Sequence, residues 1–110
     1  MSFSIDGKTA IVTGAANGIG LAIARHFIEC GANVMHADMD EASLLKELGS
    51  GTGDVEQTYF AGDLREKFTI ANLISATLDA YDRIDILINA SRQVWPLIFL
   101  IPKISQLKFR

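Results

Sequence analysis

The stretch Thr13-Gly14-Ala15-Ala16-Asn17-Gly18-Ile19-Gly20 decides the fold, because it sets three glycines where a β-type run meets a helical one. On its amino side, Lys8-Thr9-Ala10-Ile11-Val12-Thr13 is short, rich in β-branched residues and nearly uncharged, as suits a strand buried on both faces. On its carboxyl side, Ile19, Ala22, Ile23, Phe27 and Ile28 recur at three- and four-residue spacing. That spacing predicts a helix through Cys30 with these residues turned inward, and Gly31 stands where a C-cap glycine belongs. Gly14 allows a sharp turn at the strand end. Gly18 lets an anion approach the backbone N–H groups of the helix start, where the macrodipole favours it. Gly20 permits close packing of helix on sheet.

The alternation continues outward from this junction. Residues 33–37 read as a second strand. Residues 40–48 read as a helix with Asp40 as N-cap and Leu44, Leu45 and Leu48 inward. The run Gly49-Ser50-Gly51-Thr52-Gly53 is a loop, and residues 58–61 form a third strand. Asp63 is expected to cap a long helix over 63–83, with Phe68, Ala71, Leu73, Ile74, Leu78 and Tyr81 on its apolar face. Residues 84–89 complete a fourth strand. Strands separated by helices cannot pair as hairpins, so the sheet is parallel. The fold class is α/β, a Rossmann-type parallel sheet with flanking helices, truncated after the fourth strand. Right-handed crossovers order it 3-2-1-4. The outer edge of the fourth strand is then unpaired, which predicts marginal stability.

With 110 residues, 49% of them hydrophobic and 21% charged, the chain is one globular unit. A net charge of −3 excludes a nucleic-acid footprint. One cysteine, Cys30, offers neither a disulfide nor a metal site, and it reads as a small buried apolar residue. The amino end lacks a signal-peptide pattern. The apolar run 94–101, broken by Pro96, is far shorter than the roughly 20 residues of a membrane helix. No membrane partner and a cytoplasmic location are expected. The charge is divided: residues 1–91 carry all 13 acids and a net −7, while 92–110 carry +4 and no acid. We therefore divide the chain into a Rossmann-type half-domain, 1–92, and a divergent apolar and basic tail, 93–110. The tail reads as foreign sequence, such as a frameshifted reading; a divergent natural terminus is the other reading.

Asp38 follows Gly20 by 18 residues, close to the spacing of about 20 expected of an acid that binds an adenosine ribose. A carboxylate there accepts from both ribose hydroxyls and repels a 2′-phosphate, and no basic residue stands at 37–40 to offset it. NAD is thus preferred over NADP. His26 and His36 read as packed or surface histidines, and no metal site is expected.

The pattern Thr-Gly-x-x-x-Gly-x-Gly resembles that of the short-chain dehydrogenase/reductase family. Ala37-Asp38, Asp63-Leu64 and Asp85-Ile86-Leu87-Ile88-Asn89-Ala90-Ser91 resemble three further motifs of that family, in order. Ala90 and Arg92 stand where the family commonly has Asn and Gly. The resemblance implies that Gly14, Asn17, Gly18 and Ile19 line the pyrophosphate and nicotinamide side. It also implies that Asp38 and Met39 flank the ribose, that Asp63 and Leu64 hold the adenine, and that Asn89, Ala90 and Ser91 lie beneath the cofactor. The family activity is hydride transfer between nicotinamide and a carbonyl or alcohol carbon, and it requires a Ser and a Tyr-x-x-x-Lys. Here Asp63 follows Tyr59 by four residues and Asp85 follows Tyr81, so no catalytic residue is assigned. The expectation is a cofactor-binding half, inactive alone, without the family's homo-oligomer interface. The alternative is a free-standing dinucleotide-binding module whose tail docks a partner.

Overall fold

A computed structural model describes residues 4–49 and 58–90. Four parallel strands form one sheet: β1 (Thr9–Thr13), β2 (Asn33–Asp38), β3 (Thr58–Ala61) and β4 (Ile86–Asn89). Three helices connect them: α1 (Gly18–Glu29), α2 (Glu41–Gly49) and α3 (Lys67–Tyr81). The order is β3-β2-β1-β4, as right-handed crossovers require. Every residue of β1 is buried, whereas β3 and β4 are only partly covered, because the central strand has neighbours on all sides.

Side chains of successive strand residues point to opposite faces, and the core divides accordingly. Ile11, Met35 and Ala37 join Ile70, Leu73 and Ile74 of α3 on one face, with Leu64 and Ile84. Val12 and Val34 meet Ala24 of α1 on the other, with Phe27 and Ile28 packed alongside. Arg25 of α1 holds Glu47 of α2 at 2.7 and 2.8 Å, so these two helices share that second face.

Several helix-face expectations are corrected. Ala24 and Gly20 are the buried residues of α1, while Ala22 is exposed and Ile19 is 76% exposed. The crossing of α1 over β1 and β2 centres on small residues that let helix and sheet approach closely. Leu44 is fully buried but Leu45, about 100° further round α2, is 49% exposed, so the buried face of this helix is narrow and centred on Leu44. Phe68, 82% exposed, and Ala71 lie outside the apolar face of α3, which runs through Ile70, Leu73, Ile74 and Thr77. Cys30 is exposed, at the C-cap of α1.

Capping divides the same way. Asp40 caps α2 as expected: its Oδ1 accepts from Ser43 N–H at 3.1 Å and its Oδ2 from Ser43 Oγ at 2.7 Å. Asp63 does not cap α3, whose N-cap is Glu66; Asp63 instead closes a turn by accepting from Arg65 N–H at 3.0 Å. The fourth strand begins two residues later than predicted. Asp85 instead brackets Thr9, accepting from its N–H with Oδ2 and donating its own N–H to the Thr9 carbonyl, each at 2.9 Å.

Register places the functional end. Thr13 pairs with Ala37 on one side and Asn89 on the other, and Asp38 pairs with Ala61. The carboxyl ends of all four strands therefore finish together. The chain direction across the sheet reverses between β1 and β4, and a crevice at such a reversal is where open α/β sheets take ligands.

Candidate functional site

A cleft of about 280 Å³ lies at that crevice. Its walls are the glycine turn (Gly14, Asn17, Gly18, Ile19, Gly20), the end of β2 (Asp38, Met39), the turn after β3 (Asp63, Leu64) and Ala90 after β4. Four segments far apart in sequence converge there. A second hollow, about 370 Å³, is formed by residues 81–85 at the opposite end of the sheet. It is built from one consecutive segment, and its Arg83 is already bound to Asp85 at 2.7 and 2.8 Å. Size alone does not decide between them; convergence of elements at the strand ends favours the first.

The turn is shaped by its glycines. Gly14 has φ +68°, a left-handed conformation that a β-branched residue resists. A Cβ on Gly20 would overlap the Gly14 carbonyl oxygen and come within 3.2 Å of Ala90 Cβ. The start of α1 thus lies directly against the turn that precedes it. By helix geometry, the first N–H groups of α1 have no intrahelical acceptor. Asn17 occupies the N-cap, yet its side chain makes no capping hydrogen bond, and the first helical turn carries no acid. A residue able to cap leaves the positive end of its helix to an external anion.

Asp38 ties the cleft together. Its Oδ2 accepts from Ala16 N–H at 3.0 Å and its Oδ1 from Asp40 N–H at 3.1 Å. The Asp38 carbonyl accepts from Gly62 N–H at 3.0 Å, which joins β2 to the turn after β3. In that turn, Leu64 is buried in the core while Arg65 grips the neighbouring Asp63 carboxylate. Those hydrogen bonds push the Asp63 carboxyl down to about 2. Both cleft-facing acids therefore have their orientation set by bonds of the protein itself.

Of the expected site residues, Gly14, Asn17, Gly18, Ile19, Asp38, Met39, Asp63, Leu64 and Ala90 line this cleft. Asn89 does not: its Oδ1 accepts from buried Thr13 Oγ1 at 3.2 Å, tying β4 to β1 just below the rim. Ser91 lies outside the described residues. Gly20, read from sequence as a packing residue, also lines the cleft. Arg65 carried no sequence signal beyond its place two residues after Asp63.

Neither tyrosine lines the cleft. Tyr59 Oη donates to Glu41 at 3.3 Å, and partial burial followed by the Glu41 carboxylate pushes its phenol up. Tyr81 Oη donates to the Val34 carbonyl at 3.3 Å. Among the described residues, no group of three or more His, Cys, Asp or Glu is placed to hold a metal. None of the described helices is long and apolar enough to cross a membrane.

A family model described as short chain dehydrogenase matches residues 8–95. The chain belongs to the short-chain dehydrogenase family. An oxidoreductase of Thermotoga maritima is 33% identical over 91 residues, covering 77% of this chain and 34% of that protein. Mouse L-fucose dehydrogenase is 38% identical over 86 residues, covering 76% and 29%. The crystal structure of the 3-ketoacyl-(acyl-carrier-protein) reductase of Brucella melitensis, complexed with NADH, matches with TM-score 0.71 and 32% identity. That match covers 76% of this chain and 34% of the reductase. The chain thus spans about a third of the length of the short-chain dehydrogenase relatives it matches.

Proposed function

We propose that this chain is the NAD-binding portion of a short-chain dehydrogenase whose activity is hydride transfer between nicotinamide and a carbonyl or alcohol carbon. The observation that carries the reading is Asp38, held at the cleft by Ala16 and Asp40 with no basic residue at 37–40. An ionised carboxylate offers about four acceptor sites. Two backbone donors leave capacity for two ribose hydroxyls, whereas a 2′-phosphate there meets like charge.

The residues present suit a dinucleotide. Gly14, Asn17, Gly18 and Ile19 would hold the pyrophosphate and nicotinamide side, using the uncapped start of α1. Met39 and Asp38 would flank the ribose, and Asp63 with Leu64 the adenine. Asn89, Ala90 and Ser91 would support the cofactor from beneath. Ile19 and Met39 are large apolar side chains, 76% and 60% exposed, and a planar ligand would cover both. The cofactor supplies the hydride acceptor or donor. This sequence contains no Tyr-x-x-x-Lys, and a phenol pushed up, as at Tyr59, is a poorer acid or base near neutrality. The chain alone is therefore proposed to bind cofactor without turnover, in the cytoplasm.

Calorimetric titration with NAD and NADP tests this. NAD should bind tighter by about tenfold or more, since like charges in contact are strongly disfavoured. Asp38→Ala should narrow that gap. Equal affinity of the native chain for both dinucleotides would refute the assignment.

A further inference from the structure

His26, Glu29 and Cys30 form an exposed group at the carboxyl end of α1, about 18 Å along the helix from the glycine turn and apart from the cofactor cleft. Residues four apart share one side of a helix, and Cys30 Sγ stands 3.8 Å from His26 Nε2. The Glu29 carboxylate approaches the other ring nitrogen, Nδ1, at 3.9 Å. An ionised carboxylate only accepts, so it favours the neutral tautomer with the proton on Nδ1. The Nε2 lone pair is then left facing the sulfur. The side chains of His26 and Glu29 are 71% and 78% exposed, and an ion pair so open to solvent adds little to folding. What the three residues share is an arrangement of donor atoms: a sulfur and a nitrogen side by side in solvent, with a carboxylate behind the ring.

We infer that His26 and Cys30 together chelate a divalent cation of the zinc class at the end of α1. Zinc takes a thiolate sulfur at about 2.3 Å and an imidazole nitrogen at about 2.0–2.1 Å, and at a tetrahedral angle those bonds hold the two donors about 3.5 Å apart. The observed 3.8 Å is close to that span, and rotation of two exposed side chains supplies the small closure. On binding, the S–H bond breaks, a bond from sulfur to metal forms, and the thiol proton passes to solvent. Glu29 is the outer carboxylate that holds Nδ1–H and keeps Nε2 aimed at the metal. The partial negative charge at a helix C-terminus favours a cation there as well. Two protein donors do not make a closed centre, in keeping with the lack of any three-residue cluster among the described residues, so water completes the shell. A hard cation such as magnesium, which seeks oxygen ligands, does not suit this pair.

The test is calorimetric titration of the reduced, untagged full chain with zinc, and its absorbance with cobalt(II), in native, Cys30→Ser and His26→Ala forms, alongside metal-free thermal melts. The native chain should bind zinc in the presence of excess magnesium and show a thiolate-to-cobalt charge-transfer band. Each substitution should weaken zinc at least about tenfold, since even a group outside the ligand set is worth that much. Cys30→Ser should also abolish the cobalt band. Both side chains are exposed, so the metal-free melts should match the native one. If Cys30→Ser folds poorly, alkylation of the native chain at this single cysteine takes its place. No zinc binding by the native chain, an affinity unchanged by either substitution, or a cobalt complex without the thiolate band overturns the inference. None of these outcomes bears on the NAD reading, whose cleft lies at the other end of α1.

Discussion

His36 lies in β2 two residues before Asp38 and is 1% exposed. Its Nδ1 is 3.2 Å from the Thr58 carbonyl, which can only accept, so Nδ1 carries the proton. Nε2 is then a bare acceptor, buried without a partner. Burial pushes this imidazole below its ordinary value, outweighing the Thr58 carbonyl and the Glu47 carboxylate, which act in the opposite direction. A histidine that protonates more readily unfolded than folded contributes stability above its unfolded pKa, and that contribution is lost as pH falls below about 6.5. The depressed carboxyls of Asp40, Glu47, Asp63 and Asp85 have the same sign but act only below their own ordinary range, near pH 4. Unfolding free energy from urea melts should therefore decline between pH 7 and 5, and His36→Leu should flatten that decline whatever its effect on absolute stability. An equal slope in the variant would show that His36 is not its source. The buried placement of this histidine was not legible in the sequence, where a lone mid-strand His has no marked environment.

At the scale of elements, the glycine turn and α1 behave as one unit, since Gly20 of the helix rests against the Gly14 carbonyl of the turn. Gly20→Ala opposes two effects. Alanine favours the helix by about 0.8–1 kcal/mol over glycine. Its Cβ, however, would overlap a backbone oxygen that has no rotamer to change, and overpacking of that kind costs about 1–3 kcal/mol. The second should win, lowering the melting temperature and weakening NAD binding together. A variant that melts higher and binds equally well would disprove that contact. The glycines themselves were readable from the sequence as a turn, because a backbone that needs φ > 0 marks itself with glycine. Their reciprocal contact was not readable, because it depends on how closely the first turn of α1 approaches the strand it has just left.

For the whole molecule, Ile11 sits at the centre of the sheet, paired with Met35 and Leu87 and fully buried in the cluster beneath α3. Ile11→Ala should cost about 2–5 kcal/mol. Against a total of about 5–15 kcal/mol for an ordinary domain, that is a severe loss. A dinucleotide that binds only the folded chain returns about 2.7 kcal/mol at a hundred times its dissociation constant. Saturating NAD should thus restore part of the lost melting temperature, and an unshifted melt would argue that the cleft is not formed in that variant.

The parallel strand order, the glycine turn and the acid after β2 were decided by the sequence alone. Each rests on consecutive residues or fixed spacings whose meaning is local: β-branched runs, glycine where φ is positive, and connections too long for hairpins. Tertiary structure decided the rest. Which helix faces turn inward, leaving Ile19, Leu45 and Phe68 outside, follows from how each helix crosses the twisted sheet. The bond from Ala16 to Asp38 joins groups 22 positions apart, which only the register of β1 against β2 brings together. Even the grip of Arg65 on Asp63, though local in sequence, required a turn where a helix cap was predicted. Spacing along a chain encodes periodicity, but the direction of a side chain is settled only once its neighbours occupy the remaining space.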